Sequence, residues 1–427
     1  MAIECKNLEK GLRLATNGTF FACCHTFNAP FRNKEGELIK AGDVSIDDAL
    51  NSHTRQTMLK EFKNDIRSSA CKVCWDAEDA GFESKRVRDN MTFSETNRAI
   101  PTRSGDDIFF LELNLGNTCN LACRICHISA SSKWRNDHKI LHPNYTEEEL
   151  DQEVLEYSKA YLDESSIWKY LKEILPKIQQ LDIYGGEPML MKKQWEILDY
   201  CVKQGYAKSQ FMSFNTNGTI VTPKYIDILT SFHMTRIGFS LDGVGDRFHY
   251  LRYPGNWLTV NNNITKWLET RKKIEEDPNS ENKLLLEIAC TISALNVMYV
   301  FEMLDYALDR DIKLFISFVY NPVHLSITNL PDDIKPKVLE YLEVELEKRE
   351  GPYSENRAKN DLQHARILQS FEEVKKIITT LKLPNKSDPS EWRTFRKNTQ
   401  LLDRSRKQDF RYTFPIAEKL YNVYKLT

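Results

Sequence analysis

The chain has 427 residues, 41% of them hydrophobic, with 59 basic against 61 acidic side chains and a net charge of −2. That length exceeds one compact core of usual size, so two or three structural units are expected. The balanced charge excludes a general polyanion-binding surface, so no nucleic-acid partner is expected, and no run of about eighteen apolar residues exists to span a membrane.

The first residues lack the apolar segment of a secretory signal, and a cytoplasmic location is expected. Ten cysteines in such a chain point to metal or redox chemistry rather than disulfides. Residues 11–15 and 19–23 are short apolar runs on either side of Asn17-Gly18, a hairpin signal because both residues tolerate positive φ. Cys5 precedes this hairpin and Cys23 closes it. A helix is expected over 45–65, with Leu50, Met58, Leu59 and Phe62 on one face. Cys71-Lys-Val-Cys74 follows. Cys5, Cys23, Cys71 and Cys74 are a closed set of four thiolates, which suits either zinc or a fully ligated [4Fe–4S] cluster. Cys24 is an alternative to Cys23 in that set. Cys201 and Cys290 read as small buried apolar residues. The charged stretch 78–89 reads as a helix leading to a solvated linker over 93–105.

Residues 108–115 are apolar and read as a buried strand, ended by Gly116. Next comes Cys119-Asn-Leu-Ala-Cys123-Arg-Ile-Cys126. The loop therefore lies at the carboxyl end of a strand, where α/β folds place their sites. Three thiolates on so short a loop can surround one compact metal centre but cannot supply a fourth ligand. Structural zinc takes four closed ligands; a cubane cluster held by three cysteines leaves one iron open. The pattern resembles the cluster loop of the radical SAM enzymes, C-x-x-x-C-x-Φ-C, with Ile125 where an aromatic residue is usual. The resemblance implies a [4Fe–4S] cluster on Cys119, Cys123 and Cys126. It also implies S-adenosylmethionine (SAM) on the open iron, with Ile125 packed near the adenine.

Acidic residues 143–166 read as an inserted helix or lid, or equally as a plain surface insertion, and 167–175 as an amphipathic helix ended by Pro176. A short strand over 181–184 runs into Gly185-Gly186-Glu187-Pro188. Glycines at a strand end let a ligand approach the backbone. The run resembles the family's GGE motif, which implies that Gly185, Gly186 and Glu187 hold the SAM amino group. Alternation then continues, with helices over 195–203, 223–232, 260–275 and 299–309, and strands over 210–218, 235–240, 283–293 and 313–320. Period two places Asn215 and Asn217 on one side of their strand. Thr216-Asn217-Gly218-Thr219 and Ser240-Leu-Asp-Gly243 also resemble family motifs. They imply SAM contacts for Asn215 and Ser240, and the resemblance assigns the SAM carboxylate to Arg252, whose fork suits it.

Six strands alternating with helices predict an α/β fold, a partial (β/α)6 TIM-type barrel. The spacing C-x12-G-x4-C from Cys5 through Gly18 to Cys23 resembles the opening of SPASM and twitch domains. Here that unit precedes the barrel instead of following it. The expected domains are an auxiliary cluster unit over 1–103, the barrel over 104–325 and a helical extension over 326–427. In the extension, 331–381 reads as two helices and the basic residues of 393–411 as a solvated face. Asp403-Arg404-Ser-Arg406 is a candidate substrate contact.

Taken together, the resemblances imply an oxidoreductase-type enzyme that cleaves SAM reductively to methionine and a 5′-deoxyadenosyl radical. That radical takes hydrogen from an unactivated carbon of a peptide or protein. A sugar- or nucleotide-type substrate is the alternative, and a non-enzymatic iron–sulfur electron carrier is a further one. A second, auxiliary [4Fe–4S] cluster and a low-potential electron donor such as flavodoxin or ferredoxin are implied. No catalytic acid or base is identifiable.

Overall fold

In the computed structural model, which describes residues 3–42, 44–79, 81, 83–99, 108–158, 165–356, 361–384 and 387–424, the hairpin forms as its turn residues dictate. Strand β1 (Gly11–Leu14) pairs antiparallel with β2 (Phe20–Phe21), and Gly18 takes φ +80° in the turn. The helical stretch after it is two helices, Ile46–Leu50 and His53–Lys63, divided at Asn51–Ser52, where Ser52 caps the second.

Six further strands follow: β3 (Phe110–Asn114), β4 (Gln180–Tyr184), β5 (Phe211–Thr216), β6 (Met234–Ser240), β7 (Lys283–Ile292) and β8 (Lys313–Phe318). They pair in parallel in chain order, giving the partial TIM-type barrel. The hairpin is not apart from this sheet. β1 lies parallel to β3, Leu12 opposite Leu111, and extends the sheet to the order β2-β1-β3-β4-β5-β6-β7-β8. The hairpin thus covers the edge that β3 would otherwise expose.

Period two sorts each strand's residues. Leu111, Leu113, Leu181, Ile183, Met212, Phe214, Ile237, Phe239 and Ile288 are buried in the main apolar core. The alternate positions carry Glu112, Asp182, Ser213 and Arg236, which are direct neighbours across β3, β4, β5 and β6. The inward face is therefore polar and charged.

The charged stretch before the barrel departs from expectation. Helices run over Lys72–Asp79 and Lys85–Ala99, so residues 93–99 are helical rather than linker, and 100–105 lie outside the described residues. Nor is the second helix simply solvated. Lys85, Asp89 and Glu112 are all buried, with Lys85 Nζ 2.5 Å from Asp89 and 2.9 Å from Glu112. A lysine and an aspartate four apart on one face pair with each other, and the pair closes on a carboxylate projecting from β3.

In the 143–166 insertion a helix spans Glu147–Ser158, while 159–164 lie outside the described residues. The extension contains Lys335–Asn356 and Asp361–Lys382, the two helices expected, the latter packed on β8. Pro389–Arg406 follows, capped by Asp388, then short helices at Phe410–Thr413 and Pro415–Tyr421. Asp403 and Arg406 are buried, which corrects their reading as part of a solvated face; Arg404 is exposed. Cys201 and Cys290 are fully buried. Among the described residues no helix is long and apolar enough to cross a membrane.

Candidate active site

The three-cysteine loop hangs from the end of β3, and its backbone groups are held one by one. The N–H of Ala122 donates to Tyr253 O at 2.6 Å, and that of Arg124 to Leu251 O at 2.7 Å. Ser131 Oγ donates to Leu121 O at 2.6 Å, Arg406 Nη2 to Ala122 O at 2.8 Å, and Trp134 Nε1 to Cys123 O at 2.8 Å. A loop without regular structure needs such partners for its buried polar groups. Here they come from the segment carrying Arg252, from the helix after the loop, and from the carboxyl-terminal extension.

Gly185 and Gly186 are required by the approach of this same loop. Gly186 N–H donates to Gly116 O at 2.8 Å and Glu187 N–H to Thr118 O at 2.7 Å. A Cβ at Gly185, where φ is +119°, would stand 2.4 Å from Gly116 O; one at Gly186 would stand 2.3 Å from Thr118 O. The glycines at the end of β4 thus admit the cluster loop's backbone. Glu187 is buried, and its carboxylate accepts from Thr216 Oγ1 at 2.6 Å, Asn217 N at 2.7 Å and Met189 N at 3.0 Å. Burial raises its pKa against the pull of these donors.

β5 ends at Thr216, so Asn217 lies beyond the strand and outside its period. Its amide donates to Asn120 Oδ1 at 2.8 Å, tying the β5 exit to the cluster loop. Arg252 is buried, with Nη2 2.8 Å from Asp242 Oδ2 and Nη1 3.8 Å from Cys123 Sγ. Asp242 in turn accepts from Thr291 N at 2.9 Å.

A cleft of about 330 Å³ lies among these groups. Cys119, Cys123 and Cys126 form one wall with Ile125. Gly185, Gly186 and Glu187 form another, and Asn215, Ser240 and Arg252 line the rest. Every residue expected near the three-cysteine loop therefore borders a single space at the carboxyl ends of the strands. Burial pushes the Cys123 thiol to about 11, against the pull of Arg252, and Cys126 to about 12. Thiolates in such a place require positive charge beside them, which metal ligation provides. Two buried donors near Cys123, Arg252 Nε and Arg406 Nη1, have no hydrogen-bond partner among the described residues. Each guanidinium is already paired with an aspartate, Arg252 with Asp242 and Arg406 with Asp137, so what they offer an anionic cluster on the three thiolates is these two N–H groups rather than surplus charge.

The amino-terminal cysteines are neighbours, although among the described residues no three Cys, His, Asp or Glu side chains are close enough as placed to hold a metal ion. Cys5, Cys23, Cys71 and Cys74 are all buried. Cys5 lies within electrostatic reach of Cys74, Cys71 of both, and Cys23 of Cys5. Burial raises the Cys74 thiol, and His25 Nδ1 lies 3.6 Å from its sulfur. Cys23 and Cys24 both lie within electrostatic reach of Glu112 and Lys85. Asp137 carries no signal in the sequence, and Asp403 and Arg406 read there only as a candidate substrate contact on a solvated face, whereas both are buried and Arg406 reaches the cluster loop.

Residues 113–274 match the family model described as Radical SAM superfamily. Solved structures similar to the chain include native anSMEcpe with bound AdoMet, at 18% identity over 56% of this chain and 60% of that one, with a TM-score of 0.38. Streptococcus suis SuiB bound to S-adenosylmethionine is 13% identical over 79% and 68%, with a TM-score of 0.34. TsrM of Kitasatospora setae, a radical S-adenosylmethionine methyltransferase with cobalamin and a [4Fe–4S] cluster bound, is 11% identical over 48% and 36%, with a TM-score of 0.32. The chain spans 60% of the length of the first of these. No curated protein matches it by sequence.

Proposed function

We propose that this enzyme of the radical SAM class binds S-adenosylmethionine in the cleft beside Cys119, Cys123 and Cys126 and cleaves it reductively. The observation that carries the reading is the convergence of the three cysteines with Ile125, Gly185, Gly186, Glu187, Asn215, Ser240 and Arg252 on that one cleft. When bound, a [4Fe–4S] cluster and SAM would supply one-electron cleavage to methionine and a 5′-deoxyadenosyl radical able to take hydrogen from an unactivated carbon.

The chain's own residues do the holding. Cys119, Cys123 and Cys126 ligate the cluster. Arg252 brings positive charge to Cys123 and to the cleft, where the SAM carboxylate is its proposed partner. Glu187 fixes the β4 and β5 exits against each other, leaving the adjoining Gly185–Gly186 backbone as the surface that meets the SAM amino group. Ile125 offers an apolar face to the adenine. Asn215 and Ser240 offer polar groups from the ends of β5 and β6.

We read Cys5, Cys23, Cys71 and Cys74 as ligands of an auxiliary [4Fe–4S] cluster in a twitch- or SPASM-like unit. Their burial and mutual reach support this, and the reach of Cys23 to Cys5 favours Cys23 as the ligand. With four protein ligands that cluster would have no open iron, so its role is electron relay. A low-potential donor such as flavodoxin or ferredoxin would reduce the site.

The substrate we favour is a peptide or protein, on the resemblance of the cysteine unit to SPASM and twitch domains. The polar inward face of the barrel suits the hydrogen-bonding groups of such a substrate. A gene for a short precursor peptide beside this one supports that choice; sugar- or nucleotide-handling neighbours support the alternative. The reading as a whole is tested by anaerobic incubation with dithionite and SAM. Formation of 5′-deoxyadenosine supports it, and none from fully iron-loaded protein rejects it.

A further inference from the structure

The carboxyl-terminal extension reaches the three-cysteine loop through a buried ion pair and a buried arginine that is itself paired with the helix after the loop. Arg124, between Cys123 and Cys126, lies with Nη2 2.5 Å from Asp403 Oδ1 and 2.8 Å from Gln408 Oε1. Its guanidinium stacks 3.8 Å over the Tyr250 ring. The other Asp403 oxygen accepts from the backbone of Phe410 at 2.8 Å and from the Tyr424 hydroxyl. One turn further on, Arg406 donates to Ala122 O and pairs with Asp137 through two contacts of 2.9 and 3.2 Å. Leu402, on the same helix, joins Ala122, Ile128 and Trp134 in a small apolar cluster beneath the loop.

Buried ion pairs gain little over apolar packing, because desolvation offsets their attraction. One such pair on the loop and a second against the helix that follows it therefore call for a reason besides stability. Arg406 lies within electrostatic reach of Cys123, and Arg406 and Arg124 of each other. A low dielectric makes such charges felt strongly, and nearby charge is one of the protein's means of setting a cluster's potential.

We propose that Arg406 and the Arg124–Asp403 pair are positioning residues of the cluster site. They fix the three-cysteine loop from the extension and set the charge felt by a cluster on Cys119, Cys123 and Cys126. The proposal rests on the reading of that loop as a cluster site. Removing the Arg406 cation leaves the oxidised cluster relatively favoured and lowers the potential. Removing the Asp403 or Asp137 anion leaves its arginine unbalanced and raises it.

The test is an EPR-monitored redox titration of reconstituted full-length protein, with a Cys74→Ala background so that only the three-cysteine cluster is read. Arg406→Gln is expected to shift the midpoint to more negative values, Asp403→Asn and Asp137→Asn to more positive ones, and Arg406→Lys to restore the wild-type value in large part. Shifts of the same sign in all variants, or none, overturn the proposal, because loosened packing alone has no reason to follow the sign of the charge removed. Should Arg406→Gln fail to fold, the two Asn variants and Arg406→Lys decide it: positive shifts with lysine near wild type support it, and unchanged midpoints reject it. Background protein that takes up no cluster on Cys119, Cys123 and Cys126 rejects the underlying reading instead.

Discussion

Glu187 gives its carboxylate to Asn217: Oε2 accepts the Asn217 backbone N–H at 2.7 Å while Oε1 takes the Thr216 hydroxyl at 2.6 Å. The end of β4 is thereby locked to the end of β5, and Asn217 passes the connection on to Asn120 in the cluster loop. Glu187→Ala leaves the buried N–H groups of Asn217 and Met189 without their acceptor, at a cost of about 3 kcal/mol or more. Urea unfolding of the metal-free protein should show that loss, with Glu187→Gln intermediate. An alanine variant as stable as wild type would mean that the lock contributes nothing.

Gly186→Ala is expected to be damaging, although Gly186 does not require positive φ. Its Cβ would meet Thr118 O at 2.3 Å, and backbone on a stitched loop cannot swing away as a side chain can. A penalty of about 2–3 kcal/mol is expected, together with poorer iron retention on the three cysteines. Gly205→Ala is a useful control for crowding, because a Cβ there meets nothing within 4 Å although φ is +78°. Comparable iron loss in both variants would contradict the crowding argument.

The charged group inside the barrel gives a pH dependence with a definite sign. Burial raises Asp182 to about 6, above the roughly 3.9 of an unfolded aspartate. The folded chain therefore holds the extra proton between these values. The contribution is full below about pH 4 and is lost as pH rises through 6. Asp182→Asn removes that loss, so the variant should gain on wild type by about 1–3 kcal/mol between pH 4 and pH 8. Asp89 has the opposite sign. Its carboxylate is held below the ordinary range by Lys85 and Arg88 against desolvation, so its contribution is lost as pH falls. Chemical denaturation of wild type and Asp182→Asn at several pH values reads the difference, and a flat difference would contradict the assignment.

Cys74→Ala tests the auxiliary site. Reconstituted wild type should carry about eight irons per chain and the variant about four. SAM cleavage should persist in the variant while substrate turnover is lost. A variant with wild-type iron, or with full turnover of substrate, would contradict the auxiliary assignment.

What could be read from the sequence was what is local. The cysteine spacing, the glycines after β4 and the turn at Asn17-Gly18 each lie within a few residues, and the strands declared themselves by apolar alternation. Residues whose partners are remote were misread. Asp403 reads as a solvated charge until Arg124 is found, 279 residues away. Lys85 and Asp89 read only as charges on a helix until β3 brings Glu112 to them. Polarity alone does not distinguish a charge facing water from one facing a buried partner. The pairing of β1 with β3 was hidden for a similar reason: register depends on which edge stands open, and a hairpin carries no record of that.

The most direct test of the account is SAM cleavage by anaerobically reconstituted protein with dithionite, followed by chromatography for 5′-deoxyadenosine, beside Cys126→Ala treated identically. The account predicts 5′-deoxyadenosine and methionine in equal amounts from wild type and none above background from the variant. Wild-type protein that holds its full iron and yields no 5′-deoxyadenosine, or a Cys126→Ala variant that yields as much as wild type, would contradict it.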